Sequence, residues 1–333
     1  MIAVSTETRR RLADRIPLSV YQRLGANDPV GLLYHTIAPE PLPHVRHLYT
    51  HKTPAQLVHD IDYLARSYDL CGVQDLASPR RGKPRAYISF DDGMIGCHDV
   101  VRDILLRHGI PAVFFIATGF IDNRRLFYRH KVSLCIDAVD ARNSADRQSS
   151  LAEFGRTRAG APLDRPGFIR WIDALRWPDE PQIDDACAFF GVDIEDYLRS
   201  HRPYMTAAHL RTLVRDGFDI GAHTVTHPNL AHIPASQAEH EIEQSCRYVA
   251  ELSGLDRVPF AIPFSSEGID QGWLQALHPR IPLLNMVFDS SGLTHTSFPL
   301  TLNRLWVDRA PANGNTTGLP ELLQRAYARA FTM

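Results

Sequence analysis

The sequence predicts an α/β fold, in its simplest form a (β/α) barrel of about seven strands, from two observations. Short apolar runs bounded by turn residues alternate along the chain with longer segments of helical periodicity. When a central segment without strand patterns, 122–205, is set aside, about 250 of the 333 residues remain, which is the usual size of such a barrel. An open doubly wound sheet fits the same alternation and stays as the alternative.

The predicted strands are apolar runs that end at polar or turn residues. The run 112–117 is apolar throughout, which is typical of a strand buried on both faces. A long helix is predicted over 236–252, where Ser236 and Glu239 form a capping box and Gly254 follows the end of the helix. The full set of predicted strands is 30–34, 85–90, 112–117, 218–222, 258–262, 283–288 and 302–307.

The segment 122–205 is predicted to be a helical insertion after the third strand, within a single domain that spans 1–333. Loops that follow barrel strands emerge at the carboxyl ends of those strands, so the insertion is expected on that side of the barrel. The segment 127–130, together with Trp171 and Trp177, could line a substrate groove there. We favour the alternative that these aromatic residues form the core of the insertion itself.

Composition excludes several classes of partner. The chain has 36 Lys and Arg against 38 Asp and Glu, so its net charge of -2 gives no reason to expect nucleic acid or an anionic membrane. No apolar run approaches the ~20 residues that span a bilayer. The first 15 residues lack the apolar stretch of a secretory signal, and the 5 scattered cysteines contain no C-x-x-C pair. Together these features predict a cytoplasmic location; they predict no particular oligomeric state.

Two adjacent carboxylates, Asp91 and Asp92, directly follow the predicted strand 85–90, and Gly93 allows the chain to turn sharply after them. At the carboxyl end of a barrel strand such side chains point into the mouth of the barrel, where active sites lie. A polar turn with no chemical role is an equally good explanation of this cluster taken alone.

Two histidines, His223 and His227, follow another predicted strand, 218–222. Pro228 disfavours a helix at His227, so the two imidazoles are expected to converge through a loop. Because the chain has 16 histidines, two unrelated loop histidines are the alternative. One carboxylate and two neutral imidazoles would form a three-ligand site for a divalent metal that leaves positions open for water and substrate. Zn²⁺ is the expected ion, with Co²⁺, Ni²⁺ and Fe²⁺ as alternatives. The second carboxylate would be free to take a proton from water, so the cluster predicts metal-assisted hydrolysis of an amide or ester.

These motifs resemble those of the polysaccharide deacetylases, whose relatives include the chitooligosaccharide and peptidoglycan deacetylases. The resemblance covers most of the chain outside the insertion. The segments that carry it are 33–35, 89–93, 111–115, 221–228 and 260–264.

The resemblance implies a distorted (β/α) barrel and the removal of acyl groups, usually acetyl, from the nitrogen of an amino sugar. It implies that Asp91 is the catalytic base and that Asp92, His223 and His227 hold the metal. The implied substrate is an N-acetylated sugar, a glycan or a glycan precursor.

The chain departs from the usual family pattern at the catalytic base. Many relatives carry an Arg that orients the base two residues before the Pro of the third motif, and here that position is Ala261. The resulting Phe-Ala-x-Pro-Phe sequence resembles the branch that acts on exopolysaccharides such as poly-N-acetylglucosamine. Arg304, at another strand, could supply the missing charge; a purely structural ion pair of Arg304 is the alternative.

The general acid and the oxyanion donor are also unusual. The late Leu-x-His motif of the family is not evident, so His295 is the nearest substitute for the acid, and His35 at a strand end is a further candidate. The family pattern implies that the backbone N–H of Phe264 stabilises the oxyanion.

Two other functions stay open at this stage. One is a related deacylase or deformylase that acts on a non-sugar amide with the same metal site. The other is a non-catalytic carbohydrate-binding or scaffold protein that retains the fold, which the missing Arg and the missing late His favour. The intact set of base and ligands argues against that second alternative.

Overall fold

The computed structural model describes residues 13, 15–24, 29–76, 82–293, 301–309 and 318–331. Its strands are β1 Val30–Tyr34, β2 Asp69–Leu70, β3 Arg85–Phe90, β4 Ala112–Ile116, β5 Asp219–Ala222, β6 Val258–Ala261, β7 Leu284–Asp289 and β8 Thr301–Trp306. Its α-helices are α1 Leu18–Leu24, α2 Pro54–Ser67, α3 Arg102–His108, α4 Tyr128–Asp140, α5 Ser144–Phe154, α6 Arg165–Ala174, α7 Glu180–Phe189, α8 Ile194–His201, α9 Ala207–Arg215, α10 Ala235–Ser253, α11 Gln271–Gln275, α12 Leu277–Arg280 and α13 Leu319–Ala330.

Seven of the strands close into a parallel barrel. Strand β1 pairs with β3 on one side and with β8 on the other, and the remaining strands follow in the order β4, β5, β6 and β7 between them. The short β2 pairs only with the start of β3 and lies outside the closed ring. The predicted barrel is therefore confirmed, and the open doubly wound sheet is wrong, because β1 joins both ends of the sheet.

The most apolar barrel strands are also the most completely buried. Every residue of β1 and of β4 is buried, as expected for parallel strands covered by helices on the outside and by side chains within. Since the strands run in parallel, their carboxyl ends meet at one mouth. Segments that follow β1, β3, β4, β5, β6 and β7 line the pocket there, together with Trp306 at the end of β8.

The chain between β4 and β5 is helical, as predicted, and contains α4 to α9. Phe154 packs against Phe168 and Trp171, with ring centroids 5.7 and 5.1 Å away, and Phe190 joins them. Trp171 and Trp177 therefore pack against the core of the helical region, as favoured. For the segment 127–130 the favoured alternative is incomplete, because Phe127 and Arg129 line a pocket at the mouth of the barrel. The boundaries 122–205 and the single-domain organisation stay predictions.

The predicted capping box of the long helix is wrong. Helix α10 begins at Ala235 after Pro234, so Ser236 lies inside its first turn. The Glu239 carboxylate is bound elsewhere, because it accepts a hydrogen bond of 2.9 Å from the indole Nε1 of Trp273. Among the helices in the described part of the chain, none is long and apolar enough to cross a bilayer.

Candidate metal centre and active site

Three side chains converge at the mouth of the barrel. The Nε2 atoms of His223 and His227 lie 3.0 Å apart. The Oδ1 atom of Asp92 lies 3.2 Å from Nε2 of His227 and 3.7 Å from Nε2 of His223. All three residues are buried, with at most 5% of any of them exposed. The two predicted clusters thus form one site, although 131 positions separate Asp92 from His223.

The backbone turns sharply where these side chains leave their strands. Asp92 and Gly93 after β3 have φ angles of 72° and 75°, and Thr224 and His227 after β5 have φ angles of 66° and 56°. A non-glycine residue in this left-handed region costs free energy, and such residues are common at functional sites. These turns direct the side chain of Asp92 and those of the two histidines toward one another.

A buried carboxylate from α10 holds the histidine loop. Glu241 accepts hydrogen bonds of 2.8 Å from the backbone N–H groups of Val225 and Thr226, and a third of 2.8 Å from the Thr226 hydroxyl. The Thr224 hydroxyl accepts a bond of 3.1 Å from the His227 N–H. Glu241 therefore fixes the loop that carries both imidazoles without being near enough to serve as a ligand itself.

The protonation of the site suits metal binding. Nδ1 of His223 lies 2.8 Å from the Ala261 carbonyl, which can only accept, so Nδ1 carries the hydrogen and Nε2 has a free lone pair. Burial lowers the pKa of His223 to about 4, which keeps the imidazole neutral. Burial opposes ionisation of Asp92, but His227, His35 and His223 together outweigh it and hold the pKa of that carboxyl well below its usual range. The Tyr49 hydroxyl donates a hydrogen bond of 2.9 Å to Asp92 Oδ2. The other oxygen, Oδ1, is the one that faces the two histidine Nε2 atoms.

The three atoms fit a divalent ion. Ligand atoms about 2.0–2.2 Å from a tetrahedral ion lie about 3.3–3.6 Å from one another, close to the 3.0, 3.2 and 3.7 Å found here. Oδ1 of Asp92 is also buried without a hydrogen-bond donor in the described structure, which is costly for a carboxylate oxygen unless a cation binds it. One carboxylate and two imidazoles form the open three-ligand set of catalytic zinc sites.

Asp91 is bound by Arg304 and is not part of the three-residue cluster. Nη1 and Nη2 of Arg304 lie 2.6 and 2.9 Å from the two carboxylate oxygens of Asp91, and Nη1 also donates to the Ser89 hydroxyl. Arg304 is completely buried, with its guanidinium 5.0 Å from the centre of the Phe115 ring. Asp91 Oδ2 lies 3.7 Å from Nε2 of His223, so this carboxylate is adjacent to the cluster of Asp92, His223 and His227.

A glycine makes room for this ion pair. Gly31 of β1 lies in register with Arg304 of β8, between that strand and β3. A Cβ at Gly31 would lie 2.3 Å from the Tyr87 hydroxyl oxygen and 2.8 Å from Cγ of Arg304. The missing side chain at Gly31 is thus what allows Arg304 to cross β1 and reach Asp91.

A second buried ion pair faces the same pocket. His35, which directly follows β1, has Nδ1 2.9 Å from Asp308 Oδ1, and its backbone N–H donates to Asp308 Oδ2 at 2.7 Å. Burial alone would lower the pKa of His35, but the charge of Asp308 and its hydrogen bond raise it to about 9. The ring stacks on Tyr49 at 4.1 Å and lies 5.1 Å from Trp306. Asp308 thus favours the charged form of the His35 imidazole, which lies on the wall of the same pocket as His223 and His227.

The pocket between these groups has a volume of about 200 Å³. Asp91, His35, His223 and His227 line it, and Phe264 lies on its wall with a φ of 62°. Its apolar and aromatic walls limit access of water to the charged groups. The remaining predicted residue, His295, lies outside the described residues.

Sequence reasoning missed four residues that hold the site: Tyr49, Glu241, Asp289 and Asp308. Asp308 stands just after a strand, as Asp91 and Asp92 do, so the same signal could have found it. Asp289, the last residue of β7, accepts hydrogen bonds from the backbone N–H groups of Ser266 and Ser290, and so holds the loop that follows Phe264. Tyr49 lies in a loop and carries no comparable signal.

Comparisons with known proteins give one family match and several similar folds. The polysaccharide deacetylase family model matches residues 178–278, which include His223 and His227 but not Asp91 or Asp92. The Streptococcus pyogenes deacetylase PplD in complex with acetate is similar in structure, with a TM-score of 0.54 and 15% identity over 90% of this chain and 98% of that one. IcaB from Ammonifex degensii gives a TM-score of 0.53 and 14% identity over 91% and 98% of the two chains. No curated protein sequence matches significantly.

The structural likenesses, at this low identity, show a shared fold. Together with the family match, they confirm the predicted resemblance to the polysaccharide deacetylases. The resemblance to the Phe-Ala-x-Pro-Phe branch stays a prediction.

Proposed function

We propose that this protein is a metal-dependent N-deacetylase that hydrolyses the N-acetyl group of an amino sugar in a glycan or glycan precursor. The observation that carries the proposal is the triangle of Asp92, His223 and His227 with a separate carboxylate, Asp91, directly beside it. A binding protein would have no need for that additional carboxylate. The family match supports a glycan as the substrate class.

Asp92, His223 and His227 would hold the metal, for which we propose Zn²⁺, with Co²⁺, Ni²⁺ and Fe²⁺ as alternatives. When bound, the ion supplies a Lewis acid that polarises the acyl group and makes an attacking water more acidic.

Asp91 acts as the base that takes the proton from this water. Arg304 binds both oxygens of Asp91 from the interior of the barrel, so the carboxylate is held in one orientation toward the pocket. The guanidinium also balances the buried charge, which would otherwise be strongly unfavourable. Arg304 thus serves as a positioning residue in place of the absent Arg at Ala261.

His35 acts as the acid that protonates the departing amine. Its Nδ1 is engaged by Asp308, so the proton available to substrate is the one on Nε2. A charged imidazole held by a carboxylate is a suitable donor for a leaving nitrogen. The burial of His35 and its place on the pocket wall support this role, and His295 remains the alternative.

The backbone N–H of Phe264 is proposed as the second stabiliser of the oxyanion. Phe264 lies on the pocket wall in a strained left-handed conformation. Such strained residues are common at functional sites, where a backbone N–H can face a ligand. The cytoplasmic location predicted from the cysteine pattern remains part of this proposal.

The test is release of acetate from N-acetylglucosamine oligomers and from a nucleotide-linked N-acetylglucosamine. Protein loaded with Zn²⁺ is expected to release acetate, whereas Asp91→Asn protein with the same zinc content is expected to lose activity by about 10²- to 10⁴-fold. Absence of acetate release from every such substrate by fully metal-loaded protein would overturn the proposal.

A further inference from the structure

Arg129 is a cation on the wall of the catalytic pocket that the proposed reaction does not use. It is the second residue of α4, and it lines the pocket together with His223, His227 and Asp91. Its side chain is 21% exposed, so it is largely withdrawn from solvent. The helical region between β4 and β5, rather than the barrel, therefore supplies this charge.

Apart from the proposed metal ligands, the other ionisable groups of the pocket have closer described partners than Arg129 has. Asp91 is bound by Arg304, and His35 is paired with Asp308. His47, on the same side of the pocket as α4, has Nε2 2.8 Å from Asp137. The charge of Arg129 is matched least well.

The described partner of Arg129 is Asp173 of α6. Nη2 donates to the Asp173 carboxylate at 3.2 Å and Nη1 donates to its carbonyl at 3.4 Å, both long bonds, and the carboxylate side chain is 44% exposed. An ion pair of this kind contributes little, about 0–1 kcal/mol. Two of the five guanidinium N–H groups are used, so the others can bind a ligand.

Charge along the adjoining groove has the same sign. The pocket shares Phe264, Ser290 and Trp306 with a wider groove between α2 and α13. Among the described residues, the charged residues on the wall of this groove, apart from histidines, are Lys52, Arg309, Arg325, Arg329, Asp60 and Glu267. Lys52 is bound to Asp60, and Arg325 pairs with Glu321 on its own helix. Arg309 lies 5.6 Å from the Trp306 ring, at the junction of groove and pocket. The cations outnumber the carboxylates in a chain whose net charge is -2.

We propose that Arg129 binds an acidic group, a carboxylate or a phosphate, carried by the amino-sugar substrate. The proposal rests on the proposed N-deacetylase function and specifies its substrate. The planar guanidinium matches both acids through paired N–H donors, and the apolar surroundings strengthen the contact. The pocket of about 200 Å³ is smaller than typical drug-sized sites of about 300–1,000 Å³, so it suits one sugar unit, with the rest of the substrate in the groove.

The experiment compares acetate release from three substrates by zinc-loaded protein at low salt. These are a neutral N-acetylglucosamine oligomer, an oligomer alternating N-acetylglucosamine with glucuronate, and N-acetylglucosamine 1-phosphate. The ratio of kcat/KM for the better acidic substrate to that for the neutral one is expected to be about tenfold or more, as for a charge-assisted hydrogen bond. The carboxylate and phosphate arms identify which acid is recognised.

Arg129→Gln is expected to reduce this ratio to near one, and Arg129→Lys to retain part of it. Arg176→Gln is the matched control, since Arg176 donates to the same Asp173 carbonyl at 2.9 Å but is exposed and outside the pocket. The control is expected to keep the wild-type ratio. A wild-type ratio near one, or an equal loss with Arg176→Gln, overturns the proposal.

Binding of the same glucuronate oligomer to zinc-loaded Asp91→Asn protein, measured by calorimetry, separates the two hypotheses. If no substrate is hydrolysed by the wild type but the oligomer binds and Arg129→Gln abolishes binding, the acidic site stands and the deacetylase function fails. If the neutral oligomer is hydrolysed and the acidic oligomer binds no better than the neutral one, the acidic site fails and the function stands.

Discussion

Arg304 and Asp91 form a bidentate ion pair across strand β1, with both pairs of atoms within 2.9 Å and both residues almost fully buried. The pair joins β8 to β3, two strands that are not neighbours in the barrel. Asp91 is the proposed base, and the family resemblance implies a cation for that base at the position that is Ala261 here. Arg304 places a cation on Asp91 from a different strand.

The first prediction concerns this pair. Arg304→Lys can keep one hydrogen bond to Asp91 but loses the bidentate geometry, so we expect kcat to fall by on the order of 10²-fold while zinc content and KM change little. Arg304→Met leaves Asp91 buried without a partner and is expected to destabilise the fold by about 3–5 kcal/mol. Steady-state kinetics measure kcat and KM, metal analysis measures the zinc content, and urea unfolding measures the stability of each variant. Loss of zinc from Arg304→Lys would contradict the proposal that Arg304 positions only Asp91 and does not affect the metal ligands.

The second prediction concerns the metal ligands. Asp92→Ala, His223→Ala and His227→Ala should each lose zinc and activity, whereas Asp91→Asn should keep about one zinc per chain and lose activity alone. Because a ligand that binds only the folded state stabilises it, added Zn²⁺ should raise the Tm of the wild type and of Asp91→Asn. The three ligand variants should show no such rise. Equal zinc content in all variants would contradict the assignment.

The sequence indicates most of the fold because the barrel strands are long apolar runs with polar ends. Each of the seven predicted strands lies within about one residue of an observed one. Strand β2 was not predicted, since Asp69–Leu70 is too short to show any period. The capping box at Ser236 and Glu239 is a local pattern, and tertiary contacts of Glu239 with Trp273 overrode it.

The site was predictable where its residues follow strands. Asp91, Asp92, His223 and His227 all stand at strand ends, and parallel strands bring their ends together. Glu241 could not be found in this way, because it lies in the middle of α10 and its role depends on how that helix packs on the histidine loop. For Arg304 the sequence allowed either a charge for Asp91 or an unrelated structural ion pair, and the path of its side chain past Gly31 pairs it with Asp91.

The third prediction follows from His35 and Asp308. If His35 is the general acid, activity should fall as pH rises through its folded-state pKa of about 9. Asp308→Asn removes the charge that raises this pKa, so the fall should move to lower pH. A pH profile of kcat/KM for the two proteins measures the shift. An unchanged alkaline limb in Asp308→Asn would contradict the assignment.

The same pair makes stability depend on pH. Since the pKa of His35 is raised from 6.5 to about 9, the contribution is complete below about pH 6.5 and is lost as pH rises through about 9. Urea unfolding across this range should show the decline in the wild type and not in His35→Gln.

The fourth prediction tests support of the histidine loop by Glu241. Glu241→Gln replaces an acceptor oxygen by an amide donor and breaks part of the set of three hydrogen bonds to Val225 and Thr226. Residues that orient metal ligands typically affect affinity by about 10- to 100-fold, so zinc affinity should fall by that amount. Glu243→Gln, on the same helix but half-exposed and paired with Arg247, is the control and should leave affinity unchanged. Competition with a chromophoric chelator measures the zinc affinity of both variants.

The fifth prediction concerns the close approach at Gly31. An alanine Cβ there would lie 2.3 Å from the hydroxyl oxygen of Tyr87 and 2.8 Å from Cγ of Arg304, distances that require both side chains to move. Displacement of Arg304 should disturb Asp91, so Gly31→Ala is expected to lower kcat by about tenfold or more and to destabilise the fold by about 1–3 kcal/mol through overpacking. Gly272→Ala is the control, because its Cβ would meet only Asp270 Oδ1 at 3.4 Å. Steady-state kinetics and urea unfolding are measured for Gly31→Ala and for Gly272→Ala. A double variant, Gly31→Ala with Arg304→Lys, tests whether the loss of kcat in Gly31→Ala arises from displacement of Arg304. If Gly31 acts through Arg304, the double variant should lose less kcat than the product of the two single losses, and a fully multiplicative loss would contradict this coupling.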